Sequence, residues 1–422
     1  MRVLLITDNF PPESNAPALR CWDHGRVWAS EGAEVEIVTC APNFPEGRVY
    51  PGYLNEWFSR EQMEGMSVVR LKTFMAPNRG FFLRTLDHFS FLLSVVVNTW
   101  RLKRPDVVIA TSPQFFAGLA GLLFSWLRRV PLVIEVRDLW PKALIETGVM
   151  RPGLLYQVLV GLERLLYRRA AHVIVVAESF VDHVTSFGVP DNRISVVTNG
   201  ADMSRLMPGG RAEELAQILG LTGKTVVGYI GTLGIAHGLE SVIAAADLLR
   251  DRADIAFLFV GWGASREDLM KQAEVKELKN VVWVDRQPPE RIKDYWSICD
   301  IALIPRAKSN FFGTMLPAKM FEAVAMEVPI LMSVPRGEAT RMVETLGLGL
   351  TVEPENAAEI SEGIKRMADN PGFLAECRRN AQREKFRFDR SALARKVLGI
   401  LALVTKSGEG WKSEVARTDK TP

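Results

Sequence analysis

The chain has 422 residues, 48% hydrophobic and 24% charged, with a formal net charge of +3. This length favours two domains over one, and so small a charge gives no support to nucleic-acid binding. The four cysteines (Cys21, Cys40, Cys299 and Cys377) lie far apart without metal-ligand spacing. They argue against a disulfide scaffold or a metal site and suit buried thiols in a reducing cytosol.

Short β-branched runs alternate with helical-period segments through the first half of the chain. The predicted strands lie at 3–7, 33–39, 106–110, 132–136, 172–177 and 194–198. The N-terminal run "MRVLLITDNF" is too short for a signal peptide and is interpreted as the first buried strand. No stretch reaches the ~18 uninterrupted apolar residues of a membrane-spanning helix, and 81–104 carries charges within its apolar run. The sequence therefore predicts a cytoplasmic chain that is not integral to a membrane.

Basic clusters end apolar helices at 101–104, 128–129 and 168–169. Each can be explained by the preference of a helix C-terminus for cations. Together with exposed Phe and Trp residues, the clusters can instead dock an anionic membrane surface. The second interpretation predicts a peripheral contact with the cytoplasmic face of the inner membrane, and the sequence leaves both open.

The alternation of strand and helix is repeated in the second half. The predicted strands lie at 225–231, 255–261, 280–284, 301–305, 329–333 and 349–353. Nearly continuous apolar strands between helices are typical of parallel sheets covered on both faces. The turn-rich segment 199–211 lacks an apolar period and marks a break between two doubly wound, Rossmann-like α/β domains. A ligand is expected in the cleft that these domains face, beyond the carboxyl ends of their strands.

The break and the C-terminal pattern predict four parts. They are a first domain 1–200, a second domain 201–385, a C-terminal helix 386–405 and a tail 406–422. The tail is polar and is expected to be disordered.

A glycine-containing turn, "GYIGTLGIAHG" (228–238), follows a predicted strand and precedes a helix. It can be a tight turn without a ligand. Alternatively, Gly231 and Gly234 let the backbone approach a diphosphate, and His237 donates a hydrogen bond to a phosphate oxygen.

The segment "FFGTMLPAKMFEAVAMEVPIL" (311–331) places Lys319 and Glu322 on one helix face. A helix that starts near Pro317 would present free N–H groups and a positive dipole end to a phosphate beside Lys319. Glu322 could accept hydrogen bonds from a ribose. The simpler alternative is a surface ion pair worth a few tenths of a kcal/mol.

These two segments, in this order within the second domain, resemble the family-4 retaining glycosyltransferases of GT-B fold. Four first-half segments, "FPPESNAPALR" (10–20), "APNFPEGRVYPGY" (41–53), "VRDLWPKALIETG" (136–148) and "VVTNGAD" (196–202), are similar to the bacterial branch of L-fucosamine and colanic-acid transferases. The resemblance covers about residues 1–400. It implies an acceptor-side first domain, a nucleotide-sugar-binding second domain and a C-terminal helix that crosses back to the first.

The resemblance also implies roles for individual residues. Asp138, Lys319 and Glu322 are the catalytic candidates, Glu322 as the ribose carboxylate and Lys319 as the partner of the diphosphate. The donor-binding candidates are Gly231, Thr232, Gly234, His237, Arg306, Gly313, Thr314, Met315, Leu316, Lys319 and Glu322. The acceptor-side candidates are Ser14, Asn15, Ala16, Arg20 and Arg137. No metal or cofactor is expected, since the nucleotide sugar is a substrate.

The sequence departs from the family pattern at four positions. Thr314 replaces the first Glu of the Glu-x7-Glu element, and Glu327 stands where a Gly is usual. Thr232 and His237 occupy the positions at which many members place Arg and Lys on the diphosphate. The changes at 232 and 237 give more weight to Lys319 and Arg306, and Thr314 leaves the recognition of the donor sugar unpredicted.

The predicted function is retaining transfer of a sugar, such as an N-acetylated amino sugar, from a UDP-linked donor. The acceptor is expected to be a saccharide or a polyprenyl-diphosphate-linked saccharide of O-antigen or other surface polysaccharide synthesis. Front-face attack, in which the departing phosphate takes the acceptor proton, is preferred over a covalent intermediate on Asp138. The alternatives are a nucleotide-sugar 2-epimerase of the same fold and a non-catalytic nucleotide-sugar-binding homologue.

Overall fold

A computed structural model describes residues 1–76, 81–112, 114–146 and 148–418, with the backbone alone at 81–82, 310–311 and 407–418. Contacts divide the chain into two compact units. Unit 1 comprises Met1–Thr198 and the segment from Arg390 onward, and unit 2 comprises Asn199–Asp389. The sequence analysis placed the corresponding boundaries after residues 200 and 385.

The sheet of unit 1 is mostly parallel. Its strands are β1 (Arg2–Ile6), β2 (Glu34–Cys40), β3 (Phe58–Met63), β4 (Met66–Leu71), β5 (Val107–Thr111), β6 (Leu132–Val136), β7 (His172–Val175) and β8 (Ile194–Val196). They lie in the order β3-β4-β2-β1-β5-β6-β7-β8, and β3 pairs antiparallel with β4 at the edge. The central strands are buried along nearly their whole length, as expected for a sheet covered by helices on both faces.

The sheet of unit 2 is parallel throughout its described pairs. Its strands are β9 (Thr225–Ile230), β10 (Ile255–Val260), β11 (Val281–Val284), β12 (Ile301–Pro305), β13 (Ile330–Ser333) and β14 (Gly349–Val352). They lie in the order β11-β10-β9-β12-β13-β14. The order reverses between β9 and β12, the position at which doubly wound sheets open a crevice at their carboxyl ends. Both units therefore have the predicted α/β architecture.

Helices cover the two sheets. They are α1 (Ala16–Ser30), α2 (Phe81–Asn98), α3 (Phe115–Arg128), α4 (Lys142–Glu146), α5 (Leu154–Arg169), α6 (Val181–Ser186), α7 (Glu213–Ile218), α8 (Leu239–Leu248), α9 (Arg266–Val275), α10 (Ile292–Ser297), α11 (Ala318–Ala325), α12 (Glu338–Thr345), α13 (Ala357–Ala368), α14 (Pro371–Glu384) and α15 (Arg390–Thr418). Asparagine fixes the start of three of them. The side chains of Asn15, Asn356 and Asn370 accept from the N–H three residues ahead in α1, α13 and α14.

Helix α15 belongs to unit 1, as the predicted return of the C-terminal helix requires. Leu393, Ala394, Val397 and Leu401 are buried in the core of that unit. The indole Nε1 of Trp28 in α1 donates to the Ala394 carbonyl at 2.8 Å. The last helix is thus a structural part of the first unit.

Two features differ from the predicted elements. The hairpin β3–β4 has no counterpart among the predicted strands; β3 carries four consecutive polar residues, 59–62, and so lacks an apolar run. Residues 406–418, expected as a disordered tail, continue α15; the segment contains no proline, and its Lys, Glu, Ala and Arg residues favour helix. The remaining tail residues, 419–422, lie outside the described residues.

No described helix is both long enough and apolar enough to cross a membrane.

Candidate functional site

The carboxyl end of β9 carries the first element of the candidate site in unit 2. Ile230 pairs with Val260, so Gly231 and Gly261 follow the ends of two neighbouring strands. Both adopt positive φ values open mainly to glycine, 143° and 149°. A Cβ on Gly261 would lie 1.9 Å from the carbonyl oxygen of Gly231, and a Cβ on Gly231 would lie 3.1 Å from Lys319 Nζ. Glycine therefore allows both the close strand ends and the approach of the ammonium group.

Lys319 lies in the first turn of α11, near the positive end of the helix. Its Nζ is 3.7 Å from the ring centroid of Tyr229. The nitrogen is buried and hydrogen-bonds to no residue that the structure describes. Burial and the charge of Arg306 lower the pKa of Lys319 to about 7, although the charge of Glu322 acts in the opposite direction. Since a buried ammonium without a hydrogen-bonding partner is unfavourable, the position suits an anion that supplies one. Lys319 is thus not a surface partner of Glu322.

Glu322 lies one turn further along α11. Its Oε2 accepts from the indole Nε1 of Trp296 at 3.4 Å. Trp296 is fully buried, which gives the carboxylate a rigid donor. A carboxylate can accept several hydrogen bonds, including those from a pair of vicinal hydroxyls. One helix therefore presents the positive end of its dipole, an ammonium and a carboxylate within its first two turns.

The turn after Gly231 contains two more candidates. Gly234 has an ordinary extended backbone, and an added Cβ would meet only Thr232 and His237 atoms at 3.7 and 3.8 Å. The fold itself therefore does not require glycine at this position, whereas a closely approaching ligand would.

His237 differs from its predicted role. Burial, with the charges of Lys319 and Arg306, lowers the pKa of His237 to about 2, and a hydrogen bond to the Pro305 carbonyl acts in the opposite direction. Nδ1 has no partner among the described residues, so Nε2 is the donor in that bond. A neutral imidazole that donates through Nε2 can only accept through Nδ1. In the ligand-free protein Nδ1 of the neutral His237 ring is therefore an acceptor, and the predicted donation to a phosphate oxygen through Nδ1 would require protonation of the ring.

Arg306 follows β12 at the same edge of the sheet. Its backbone N–H donates to Ser333 at 2.9 Å, and its guanidinium carbon lies 5.3 Å from the ring centroid of Phe312. Its charge reaches Lys319 and His237, where it lowers both pKa values. Arg306 thus belongs to the same electropositive region.

The loop before α11 is held by backbone packing. A Cβ on Gly337 would lie 1.7 Å from the carbonyl oxygen of Gly313, so glycine is needed where the loop meets the start of α12. Leu316 is buried, and Thr314 and Met315 are half-buried. The backbone of this loop is therefore fixed by the fold, and Thr314 stands in the place of the missing carboxylate.

Glu327 has a structural explanation. It follows the C-terminus of α11 with a φ of 55°, a left-handed position that favours glycine. Its Oε1 lies 2.7 Å from Nζ of Lys385, and both side chains are mostly buried. Glu327, which stands where the family usually has Gly, thus forms an ion pair with Lys385 that glycine could not form.

The acceptor-side candidates Ser14, Asn15 and Ala16 stand at the N-terminus of α1 in unit 1. Ser14 and Ala16 are exposed. The Asn15 Oδ1 caps the helix by accepting from Ala18 N at 2.9 Å. Its buried Nδ2 has no partner among the described residues. The amide N–H group is thus available to an acceptor ligand.

Arg20 must be removed from the acceptor-side candidates. Its Nε and Nη2 donate to Glu135 Oε1 at 3.0 and 2.8 Å, and Nη1 donates to the Thr198 carbonyl at 3.0 Å. The side chain is buried and turned into unit 1. Arg20 and Glu135 instead form a buried ion pair that joins α1 to β6.

Arg137 and Asp138 follow the carboxyl end of β6. Their backbone N–H groups donate to Ser112 Oγ at 2.7 and 3.3 Å. Nε and Nη1 of Arg137 are buried without a hydrogen-bond partner in the described part of the chain. Burial lowers the pKa of the Arg137 guanidinium, and the neighbouring Glu135 acts in the opposite direction. These two buried nitrogen atoms, which carry three N–H groups without a partner among the described residues, suit an anionic ligand.

Sequence reasoning missed a group of buried carboxylates near the carboxyl end of β1. Burial raises the pKa of Asp8 to about 6; burial and the charge of Asp8 raise that of Asp87 to about 7. His88 Nε2 lies 3.9 Å from Asp8 Oδ2, and burial lowers its pKa to about 4. The signal was present: Asp8 follows a buried strand, and Asp87–His88 interrupt an apolar helix. Among the described residues no group of three His, Cys, Asp or Glu side chains is placed to hold a metal.

Two family descriptions match successive parts of the chain. "Glycosyl transferase 4-like domain" matches residues 17–200, and "Glycosyl transferases group 1" matches residues 211–384. The first match lies in unit 1 except for its last two residues, and the second lies in unit 2.

Individual proteins are similar to this chain over most of its length and most of their own. The putative colanic acid biosynthesis glycosyl transferase WcaI of Escherichia coli is 24% identical over 91% of this chain and 96% of its own. The N,N'-diacetylbacillosaminyl-diphospho-undecaprenol alpha-1,3-N-acetylgalactosaminyltransferase of Campylobacter jejuni is 22% identical over 76% of this chain and 82% of its own. The solved structure of Anabaena HepE in complex with UDP-glucose has a TM-score of 0.71 at 18% identity, covering 95% of this chain and 99% of that one.

Proposed function

Because this chain belongs to the family-4 glycosyltransferases of GT-B fold, and is thus a sugar-transferring enzyme of glycan biosynthesis, we propose that it uses a UDP-sugar and a polyprenyl-diphosphate-linked saccharide. Transfer retains the anomeric configuration. One observation carries the donor assignment: the buried ammonium of Lys319, which has no hydrogen-bond partner among the described residues, stands beside Gly231, with the Glu322 carboxylate one helical turn away.

The diphosphate of the donor is assigned to the start of α11. The free N–H groups and the dipole of the helix favour negative charge there, and Gly231 leaves the backbone open to it. Lys319 would supply the charge-assisted hydrogen bond that its own environment lacks. Glu322 would accept from the ribose hydroxyls while Trp296 holds it in place.

UDP and an N-acetylated amino sugar are supported by similarity. Anabaena HepE has been solved with UDP-glucose, and the Campylobacter relative is named for transfer of N-acetylgalactosamine to a diphospho-undecaprenol-linked sugar. Thr314 replaces a carboxylate of the family pattern, so the contact to the donor sugar at this position is a neutral hydroxyl.

In the proposed mechanism the residues of unit 2 stabilise the leaving diphosphate. As the glycosidic bond to the phosphate breaks, negative charge grows on the phosphate oxygen, and Lys319 with the helix N-terminus stabilises it electrostatically. The same oxygen receives the proton of the attacking acceptor hydroxyl on the same face. No protein nucleophile is required, and retention follows from attack on the face that the phosphate leaves.

A covalent intermediate on Asp138 is the alternative route. Asp138 stands at the end of β6 with its backbone N–H on Ser112 Oγ. Under the front-face route Asp138→Asn keeps measurable transfer, because the carboxylate forms no bond to the sugar. If the wild-type enzyme itself accumulates a covalently bound sugar, detected by intact-mass spectrometry, the covalent route is supported instead.

A charged acceptor is supported by Arg137. Its two buried guanidinium nitrogens without a partner among the described residues lie at the carboxyl edge of the unit 1 sheet. A lipid-linked acceptor carries a diphosphate that could satisfy them.

The proposed contact with a membrane surface is supported by the exterior of unit 1. Along α2 and the turn after it, a stripe of large apolar residues is exposed by 40 to 70%. The stripe consists of Leu83, Leu86, Phe89, Leu93, Val97 and Trp100. Arginines stand at its end, and Arg128 lies 5.1 Å above the Trp100 ring. Apolar side chains bordered by cations are typical of a surface that docks on anionic lipid.

The function is tested by turnover. The protein is incubated with UDP-sugars and a polyprenyl-diphosphate-linked amino sugar, and UDP release, product mass and the anomeric configuration by NMR are measured. We expect UDP release matched to a retained α-linked product. Epimerisation of the donor without a glycosylated acceptor, or nucleotide binding without turnover, would replace the proposal by one of its two alternatives.

A further inference from the structure

His237 has a buried hydrogen-bond acceptor that no group in the described part of the chain satisfies. The ring hydrogen-bonds to the Pro305 carbonyl, which can only accept, so the ring nitrogen in this bond carries the hydrogen. The other nitrogen, Nδ1, is buried and has no hydrogen-bond partner among the described residues. Because a buried acceptor left unpaired is unfavourable, this atom suits a ligand group that donates a hydrogen.

This acceptor belongs to the same crevice as the Lys319 ammonium. The centroid of the Tyr229 ring lies 3.7 Å from Lys319 Nζ and 5.9 Å from the centroid of the His237 ring. A donor and an acceptor, each without a partner among the described residues, therefore stand beside one aromatic ring. A single ligand satisfies both only if it carries an anionic oxygen and a group that donates a hydrogen bond.

A phosphate oxygen does not meet the second requirement. The diphosphate of a nucleotide sugar carries no hydrogen at neutral pH and can only accept. The ring could donate to it through Nδ1 only if protonated, and burial and the charges of Lys319 and Arg306 oppose that protonation. The group that donates to Nδ1 is therefore a hydroxyl next to the diphosphate.

Two parts of a nucleotide sugar carry hydroxyls next to the diphosphate, the ribose and the transferred sugar. Glu322, assigned to the ribose, lies in α11, which packs against α14, whereas His237 lies just before α8, which packs against α13. The charge of Glu322 acts on the pKa of Lys319, and the charges that act on the pKa of His237 are those of Lys319 and Arg306. A donor with its ribose at Glu322 and its diphosphate at Lys319 therefore brings its sugar to His237.

We propose that Nδ1 of His237 accepts a hydrogen bond from a hydroxyl of the transferred sugar and so selects donors that carry this hydroxyl. This role rests on the proposed function, because it requires a nucleotide sugar at Lys319 and Glu322. Selection follows because an analogue without the hydroxyl leaves the buried nitrogen unpaired. The lysine that many family members carry at this position donates hydrogen bonds and cannot accept one, so the histidine changes what the site recognises.

The test compares the dissociation constants of UDP-sugars that differ by one hydroxyl. Calorimetry selects the tightest binder among UDP-glucose, UDP-galactose and their 2-acetamido counterparts, and then measures the monodeoxy analogues of that sugar. At one position of the sugar, removal of the hydroxyl should weaken binding to wild type about tenfold, the effect of one buried acceptor left unpaired. In His237→Phe the penalty at this position should disappear, because the accepting nitrogen is gone.

Each variant is its own reference in this comparison. The penalty is the ratio of two dissociation constants for one protein, so a general loss of stability or affinity cancels. His237→Lys should also lose the penalty. His172→Phe, at a half-buried histidine of unit 1 that hydrogen-bonds to Ser195 Oγ, should keep it. The same penalties in wild type and His237→Phe, or UDP affinity to which no sugar adds, would overturn the inference.

Failure of the proposed function gives a different result. A protein that binds UDP-sugars without transferring them rejects the proposed transfer, and the hydroxyl penalty still decides the role of His237. A protein that binds no UDP-sugar rejects both.

Discussion

The ammonium nitrogen of Lys319 lies 3.7 Å from the ring centroid of Tyr229, whose hydroxyl donates to the Thr232 carbonyl at 2.5 Å. The ring replaces part of the hydration that the buried cation has lost. It does not replace a hydrogen-bond acceptor, and the pKa of Lys319 falls to about 7. The residue proposed to bind the diphosphate is therefore poised to change its charge near neutral pH.

The first prediction concerns the pH dependence of donor binding. Above pH 7 Lys319 is neutral in the free protein and must take up a proton when a diphosphate binds. UDP-sugar affinity should therefore fall as the pH rises from 7 to 9, by up to about tenfold per unit. Calorimetry in buffers of different ionisation enthalpy measures both the affinity and the proton uptake.

Lys319→Arg is the matched control, because a guanidinium stays charged throughout this range. His237 contributes nothing to the slope, since burial keeps its pKa far below it. Affinity that is constant from pH 7 to 9 in wild type, without proton uptake, would contradict the prediction.

The second prediction concerns stability. The pKa of Lys319 is about 7 in the folded protein, below its ordinary value of 10.5. The unfolded chain therefore binds more protons between these two values, and Lys319 destabilises the fold most at or below pH 7. Lys319→Met should raise the free energy of unfolding at pH 7, and the gain should shrink as the pH approaches 10.

Urea unfolding of the two proteins at pH 7 and 9.5 measures this difference. Lys271→Met, at an exposed lysine of α9, should give no comparable gain at either pH. A Lys319→Met protein that is less stable than wild type at pH 7 would show that the ammonium is favourably bound in the unliganded state.

The third prediction separates the two ends of the donor site. Glu322→Gln should weaken both uridine and UDP about 10- to 100-fold, since a charged hydrogen bond to the ribose is lost. Lys319→Met should weaken UDP and leave uridine unchanged. Titration of both ligands into both variants checks the assignment, and a Glu322→Gln protein with wild-type uridine affinity would remove Glu322 from the ribose.

The fourth prediction concerns Glu327. Glycine at a φ of 55° normally stabilises the folded protein. Glu327→Gly also removes the carboxylate that lies 2.7 Å from Lys385, whose side chain is mostly buried. Destabilisation by roughly 1–3 kcal/mol is expected, since the stranded charge costs more than the relieved backbone gains. Adding Lys385→Met to Glu327→Gly should restore stability, and chemical unfolding of the double-mutant cycle measures the coupling. A more stable single variant would mean that the ion pair contributes little.

The fifth prediction concerns the apolar stripe of α2. Val97→Ser with Trp100→Ser should reduce sedimentation with phosphatidylglycerol vesicles several-fold, because both side chains are about 70% exposed. Wild type should bind phosphatidylcholine vesicles only weakly. Ile218→Ser with Val275→Ser removes equally exposed residues from unit 2 and should have no effect. Equal sedimentation of both double variants with anionic vesicles would exclude the stripe as the docking surface.

Continuous apolar runs made the sheets predictable. Each predicted strand is present, and the positions of Gly231, Lys319 and Glu322 relative to β9 and α11 follow the predicted pattern. The edge strand β3 was missed because edge strands carry polar residues that weaken the apolar signal. The interior strand β4 beside it is buried and was not predicted either. The resemblance to family-4 glycosyltransferases is confirmed, and it was needed because residue spacing alone could not distinguish a ligand site from a surface ion pair.

Side-chain direction was not predictable. Arg20 lies in the segment expected to face the acceptor, yet it points inward to Glu135, a partner 115 residues away in sequence. The sequence showed Asp8 after a buried strand and Asp87 within an apolar helix, but it did not show that the charge of Asp8 would act on Asp87, which tertiary packing decides. Such pairings depend on tertiary packing and not on local sequence.

The placement of α15 has a consequence for the order of events during synthesis. Unit 1 begins with the first residue, but its core includes Leu393, Ala394, Val397 and Leu401. While the chain emerges from the ribosome, unit 2 is therefore complete before unit 1 can close its core. Until then the nascent first unit exposes the apolar face of α1 that α15 will cover. A premature stop near the end of the message would accordingly damage the beginning of the protein.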